Sequence, residues 1–155
     1  MTRNGLIVEI QSRLSSIKIA NGFSFDLSQV LRNPIEPPMV ESMPMACLFE
    51  APDTVDRWIL LGATKAPKAK RSLSIIIEYW RSSLSEGRVS WDILEFLDYS
   101  RYVLFNDGVT LGGEALSLAE NETTRIIRPE IGGNTSGIGV VYTATYVEDY
   151  SLLTV

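Results

Sequence analysis

The stretch Leu73-Ser74-Ile75-Ile76-Ile77-Glu78-Tyr79-Trp80 decides the fold. Leu73, Ile75, Ile77 and Tyr79 alternate with a set that includes Ile76, Glu78 and Trp80, the period of two that sends successive side chains to opposite faces of a sheet. A strand is therefore expected from about Arg71 to Arg81. On its C-terminal side, Ile93, Phe96, Leu97, Val103 and Leu104 recur at spacings of three and four, which predicts a helix running to about Phe105. Ser90 is its expected N-cap and Asp92 its first-turn acid, and Asn106-Asp107-Gly108 closes it. A strand is expected over Thr123–Ile131, confined at Pro129 to an edge or a bulge. A hairpin loop at Gly132–Gly137 and a long final strand at Ile138–Val147 follow. In that strand Val140, Tyr142, Ala144 and Tyr146 share one face.

On the N-terminal side the same logic gives an amphipathic helix over about Thr2–Lys18, from Leu6, Ile10, Leu14 and Ile17, stopped by Asn21-Gly22. Phe23–Leu27 alternates as a half-buried strand does. Asn33–Pro38, with three prolines, forbids helix and central strand and reads as an extended surface connector. Met45–Phe49 reads as a buried strand, bounded by a turn at Pro52-Asp53, and Arg57–Leu61 as another. Gly62–Ser72 reads as a basic loop. The order of elements lacks regular strand–helix alternation, which argues for an α+β fold: an antiparallel or mixed sheet packed by two main helices, as one domain over residues 1–155.

Composition narrows function. A chain of 155 residues, 45% hydrophobic and 21% charged, buries a core of its own. It has no histidine and one cysteine, Cys47, which excludes Ser-His and Cys-His nucleophilic sites, most zinc sites and any intrachain disulfide. No apolar run is long enough for a membrane helix and no signal peptide is evident, so a protein that stays in the cell is expected, with no membrane partner. A net charge of −5 gives no general attraction to nucleic acid.

The sequence around Gly132–Gly139 superficially resembles a phosphate-cradling loop. It lacks both the helix that should follow and the P-loop lysine, and reads as a turn. The acidic pairs Asp53 with Asp56, Asp92 with Glu95, and Glu148 with Asp149 lack the ligand density of a hard-metal site. Lys65, Lys68, Lys70 and Arg71 form the one basic cluster, either a contact arm towards an acidic surface or a solvated hairpin tip; no interleaved aromatics make it a base-stacking platform.

The helix ending in Ile19-Ala20-Asn21-Gly22-Phe23-Ser24-Phe25-Asp26, the passage Val30-Leu31-Arg32, the proline-rich connector and Met43-Pro44-Met45-Ala46-Cys47-Leu48-Phe49-Glu50 come in that order. The long strand at Leu73–Trp80 and the closing Gly139-Val140-Val141-Tyr142-Thr143-Ala144-Thr145-Tyr146 complete the pattern. Over nearly the whole chain this resembles the tail terminator and minor tail proteins of long-tailed bacteriophages. The resemblance implies a non-catalytic structural protein with no cofactor or metal. Its partners would be its own copies in a homohexameric ring, the tail tube protein and a head–tail connector protein. Such a ring caps the tube, stops its polymerisation and offers the head-attachment surface, and DNA passes through its lumen without specific binding. The implied location is the virion tail, after assembly in the host bacterial cytoplasm.

A ring needs two unlike complementary patches per subunit. The Lys65–Arg71 loop and the glycine-rich Gly112–Asn121 segment are the candidates, with Lys65, Lys68, Lys70, Arg71, Gly112, Gly113 and Glu114 as interface residues. The alternatives are another head–tail connector or tail-completion protein, a small-ligand or nucleotide-binding domain using Gly132–Gly139, and a carboxylate-based hydrolase.

Overall fold

The computed structural model of the protein describes residues 2–59, 66–128 and 133–150. It is α+β: one mixed six-stranded sheet and two helices. Helix α1 (Arg3–Ser15) leads into β1 (Gln29–Arg32), β2 (Met45–Glu50), β3 (Thr54–Ile59) and β4 (Lys68–Ser82), then helix α2 (Val89–Phe105), β5 (Ser117–Thr123) and β6 (Thr135–Asp149). The sheet runs β1-β2-β4-β6-β5, with β3 also on β4. Among the described residues, only β1 and β2 pair in parallel.

The expected central strand is longer than its apolar core. β4 and β6 pair antiparallel over 15 residues each, from Lys68 opposite Asp149 to Ser82 opposite Thr135. Ladder hydrogen bonds carry the pairing past the apolar residues into Lys68, Lys70 and Arg71, which the composition alone assigned to a loop. Lys65 and Gly132 lie outside the described residues.

On its other side β4 takes two partners end to end. β2 pairs with Ile75–Trp80 and β3 with Lys68–Ser72. From Glu50 opposite Ile75 to Thr54 opposite Ser72, one strand advances four residues and β4 three. The extra residue falls at Ala51-Pro52-Asp53, where proline has no N–H for the ladder. The expected turn at Pro52-Asp53 is therefore a bulge that re-aims one strand direction along the same edge.

Alternation then assigns the two faces. Leu73, Ile75, Ile77 and Tyr79 of β4, Val140, Tyr142, Ala144 and Tyr146 of β6, and Ala46 and Leu48 of β2 form the main core with Leu6, Ile7, Ile10 and Leu14 of α1 and Ile93, Phe96, Leu97, Val103 and Leu104 of α2. Both helices thus cover one face. Each fully buried Leu, Ile or Phe contributes about 1.5–3 kcal/mol through area removed from water. Thr2 caps α1, its Oγ1 accepting from the Gly5 N–H at 3.0 Å. Gly22, at φ 91°, closes the turn after α1 in the left-handed region.

Four expectations shift. The strand expected at Arg57–Leu61 starts earlier, as β3 at Thr54–Ile59, and Leu60 and Leu61 lie outside the described residues. Phe23–Leu27 forms no ladder: Phe23 and Phe25 pack edge-on against Tyr99 and Phe96, 4.9 and 5.2 Å between ring centres, so the alternation marks packing on α2. Ser90 does not cap α2, because the 3₁₀ turn Glu86–Arg88 runs straight into Val89; Asp92 does lie in the first turn, paired with Arg88 at 3.3 Å. The strand expected at Thr123–Ile131 lies earlier, at Ser117–Thr123. Beyond it, within the described residues, only Ile127 makes a bridge, to Gly137; Pro129–Ile131 lie outside them.

Gly137 faces Trp80 across the β4–β6 ladder, and a Cβ there would stand 2.7 Å from the indole ring. The ring occupies the space a side chain would take, the arrangement by which an aromatic shields a strand glycine. Gly137→Ala should destabilise the fold by about 1–3 kcal/mol through overpacking. In urea denaturation the loss should shrink when Trp80→Leu is combined with it; simple additivity would show that the two residues do not share that space.

Candidate functional site

The face of the sheet opposite the helices is uncovered along most of its length. Its register aligns Phe49, Ile76 and Val141 in one row, and Leu31, Cys47, Glu78 and Gly139 in the next. Met45, Cys47 and Trp80 form a small second cluster there, with Leu31, Met43 and Phe49 packed around it. Cys47 is buried in that cluster, and burial, with the charge of Glu78 adding, pushes its thiol up to about 11. It stays protonated and unreactive. The connector Asn33–Pro38 runs beside this cluster, leaving a groove of about 510 Å³ lined by Pro37, Pro38, Val40, Met43, Trp80 and Asn134.

The open face changes character along the strands. Beyond the apolar end come Ser72, Ser74, Thr143 and Thr145, with Ser72 opposite Thr145 and Ser74 opposite Thr143. At the far end stand Lys68, Lys70 and Arg57, with Lys70 opposite Arg57 and Lys68 opposite Asp149. A second apolar surface lies on the helical side. Trp91, 71% exposed, Leu94 and Tyr102 form an outward stripe on α2, and a groove of about 380 Å³ opens between Trp91, Leu94, Glu95, Asp98 and Tyr99. Leu84, 96% exposed, precedes α2.

Within the described residues, neither sequence candidate is a free arm. Lys68, Lys70 and Arg71 belong to β4, held between β3 and β6. Strand alternation sends Lys68 and Lys70 to the open face and Arg71 to the helical face. Lys68 pairs with Asp149 at 2.6 Å. Gly112 and Gly113 form a 3₁₀ turn with Leu111, whose side chain is buried. A Cβ on Gly112 would stand 3.4 Å from the Arg13 guanidinium. A Cβ built on Gly5 would stand 3.0 Å from Glu114 Oε2, so Glu114 lies against the first turn of α1. Ser117–Asn121, the rest of that segment, is β5.

Arg71 reaches the same turn of α1 by another route. Asp53, at the β2–β3 bulge, accepts hydrogen bonds from Tyr146 Oη at 2.7 Å and Arg71 Nη1 at 3.1 Å, and stands 3.6 Å from Arg3 Nη1. Arg71 Nε lies 2.7 Å from Glu148, an ion-pair distance whose angle falls short of a hydrogen bond, and its other nitrogen donates to Tyr150. Arg3 donates to Glu50 at 2.9 Å; Arg32 pairs with Glu50 as well and donates to Asn4 at 2.7 Å. This network ties α1, β1, the bulge, β4 and β6 together. The Tyr146 hydrogen bond holds the Asp53 carboxyl below its ordinary range against the opposing effect of burial, with Arg71 and Arg3 adding to the depression. At Glu50 burial opposes the charge, and the Arg32 and Arg3 hydrogen bonds prevail to lower it too.

Gly137 and Gly139, the glycines of the apparent phosphate loop, lie in β6. Gly137 N–H donates to Ile127 O at 2.8 Å and Gly139 N–H to Thr124 Oγ1 at 2.9 Å, so these amides are engaged within the sheet. Among the described residues, no three His, Cys, Asp or Glu side chains converge as a metal site, and no helix is long and apolar enough to cross a membrane. Sequence reasoning missed the open face and Arg57. Its signal was present in Ile75-Ile76-Ile77, where an apolar residue breaks the alternation on the side away from the core.

Because Asp53 and Glu50 are depressed in the folded protein, their contribution is present above about pH 4 and is lost as pH falls through their folded values. Asp53→Asn should cost about 1.5–3 kcal/mol at pH 7, the scale of hydrogen bonds to a charged group. It should also flatten the acid limb of stability in urea titrations between pH 5 and 2; an unchanged slope would remove Asp53 from the linkage.

Neither the protein-family models nor the curated proteins compared with this chain give a match.

Proposed function

We propose that this chain is a structural subunit of virion assembly, a tail-terminator-like protein that forms a homohexameric ring. In this reading the ring caps the tail tube, stops its growth and presents the surface to which a head–tail connector docks. Its partners are its own copies, the tail tube protein and that connector, with DNA passing through the lumen. It is not an enzyme, and it acts in the tail of the virion after assembling in the bacterial cytoplasm.

One observation carries this reading. The protomer exposes two apolar surfaces of different shape on opposite sides of its sheet, the open-face groove beside Trp80 and the α2 stripe of Trp91, Leu94 and Tyr102. Exposed apolar patches on a small domain mark interaction surfaces. Two unlike patches suit head-to-tail contact, which closes into a ring when the rotation per subunit permits, whereas a two-fold dimer uses one patch twice. The resemblance over nearly the whole chain to tail terminators points the same way. The proposed interface residues of the basic stretch are Lys65, Lys68 and Lys70. The other interface candidates, Arg71, Gly112, Gly113 and Glu114, lie on the helical side, where Arg71 meets Asp53 beside Arg3 and Glu114 lies against the first turn of α1.

Trp91→Asp with Leu94→Asp tests the ring directly. Both sites are exposed, so the fold should change by no more than about 0.5 kcal/mol each. Sedimentation velocity should show a species of six protomers' mass for the parent protein and a shift to monomer for the double variant, with at least a tenfold higher concentration needed for assembly. A parent protein that stays monomeric at high concentration, alone and with tail tubes, would overturn the reading.

A further inference from the structure

Arg57 and Lys70 stand directly opposite each other on β3 and β4, on the open face. Like charges in that relation destabilise a sheet. Three of the nearby acids are ion-paired elsewhere, Asp149 with Lys68 and Asp53 and Glu148 with Arg71, while Asp56 accepts from the Ser72 hydroxyl at 2.7 Å and keeps its charge. Among the described residues, neither Arg57 nor Lys70 has an ion-pair partner. Among the described residues the site is therefore a two-cation patch with an excess of positive charge, Asp56 being the one carboxylate at its edge that has no ion pair.

The proline-rich strap from Asn33 to Glu41, which ends in the turn Val40–Ser42, carries two carboxylates. Glu36 and Glu41 are exposed, and neither has an ion-pair partner among the described residues. Between them the strap shows Met39, with Ile35 beside them fully exposed at 101%. Pro34, Pro37 and Pro38 restrict the backbone, so little conformational freedom is lost when it docks. The strap cannot meet the cations of its own chain. It lies against Trp80, and Lys70 is about 30 Å away along β4 at about 3.3 Å per residue.

We propose that the strap of one copy lays Glu36 and Glu41 against the Arg57–Lys70 pair of the next copy. The contact is heterologous, joining unlike patches of identical chains, and it relieves the cross-strand repulsion within β3–β4. It rests on the assembly reading above and adds to it the residues that set the register between neighbours. Opposite charge guides encounter and fixes orientation, while apolar burial supplies most of the affinity.

Charge exchange tests the pairing. Arg57→Glu with Lys70→Glu, and separately Glu36→Lys with Glu41→Lys, should each raise the concentration needed for assembly about tenfold in sedimentation velocity at 0.1 M salt, with circular dichroism and melting unchanged. An equimolar mixture of the two variants should recover, because in an alternating ring every contact joins a negative strap to a positive patch or a positive strap to a negative patch. The four substitutions in one chain should restore assembly to near the parent level. Two single-side losses without recovery in the fourfold variant would overturn the pairing, as would variants that assemble like the parent. Either result leaves the ring standing if the parent forms it, whereas a monomeric parent overturns the ring and this contact together.

Discussion

The pairing of β4 with β6 is the constraint on which the remaining structure depends. Fifteen residues of each strand lie in register, longer than a usual strand. The ribbon supplies both faces of the sheet at once. Its helical face carries the residues that α1 and α2 cover, and its open face runs from Trp80 and Gly137 at one end to Lys68 and Asp149 at the other. β2 and β3 share one edge of the ribbon, and β5 takes the other. Every surface feature with a functional reading is placed by its distance along this axis.

The elements that sequence reveals are those whose periodicity reports burial. The Leu73–Tyr79 and Val140–Tyr146 alternations and the two helical stripes correspond to buried faces. Where a segment packs without pairing, the same alternation misleads. Phe23 and Phe25 alternate because each reaches a ring on α2, with no ladder partner beside them. Where pairing continues without apolar residues, pattern is silent. Lys68-Ala69-Lys70-Arg71 has charged composition, yet its backbone is held by β3 and β6. The basic cluster was legible as residues, but its division between two faces required the strand register. Asp53 was legible only as an acid near a proline; its role comes from Tyr146, far along the chain, brought to it by the sheet.

The two ionic arrangements on the sheet serve opposite ends. On the helical face, Asp53, Glu50, Arg3, Arg32 and Arg71 satisfy one another, and they lock the bulge to the start of α1. Removing one member of such a network leaves its partly buried neighbours without compensation. On the open face Arg57 and Lys70 remain in excess, where solvent can moderate their repulsion. A fold that pairs its charges on one face and leaves like charges adjacent on the other has concentrated its electrostatic repulsion where water can screen it.

The order of the strands also sets the timing of maturation. β4 lies at the centre of the sheet, but the partner that covers its longest edge is β6, which is synthesised more than fifty residues after it. α2 and β5 are made in between, so closure of the ribbon spans a long intervening loop and depends on distant residues meeting. Until that happens, β4 keeps an apolar edge open, the condition in which nascent chains recruit wrong strands. Both apolar surfaces take their final spacing only once β6 is seated. The open face and the helical stripe are thus late products of folding, complete only when the ribbon has closed.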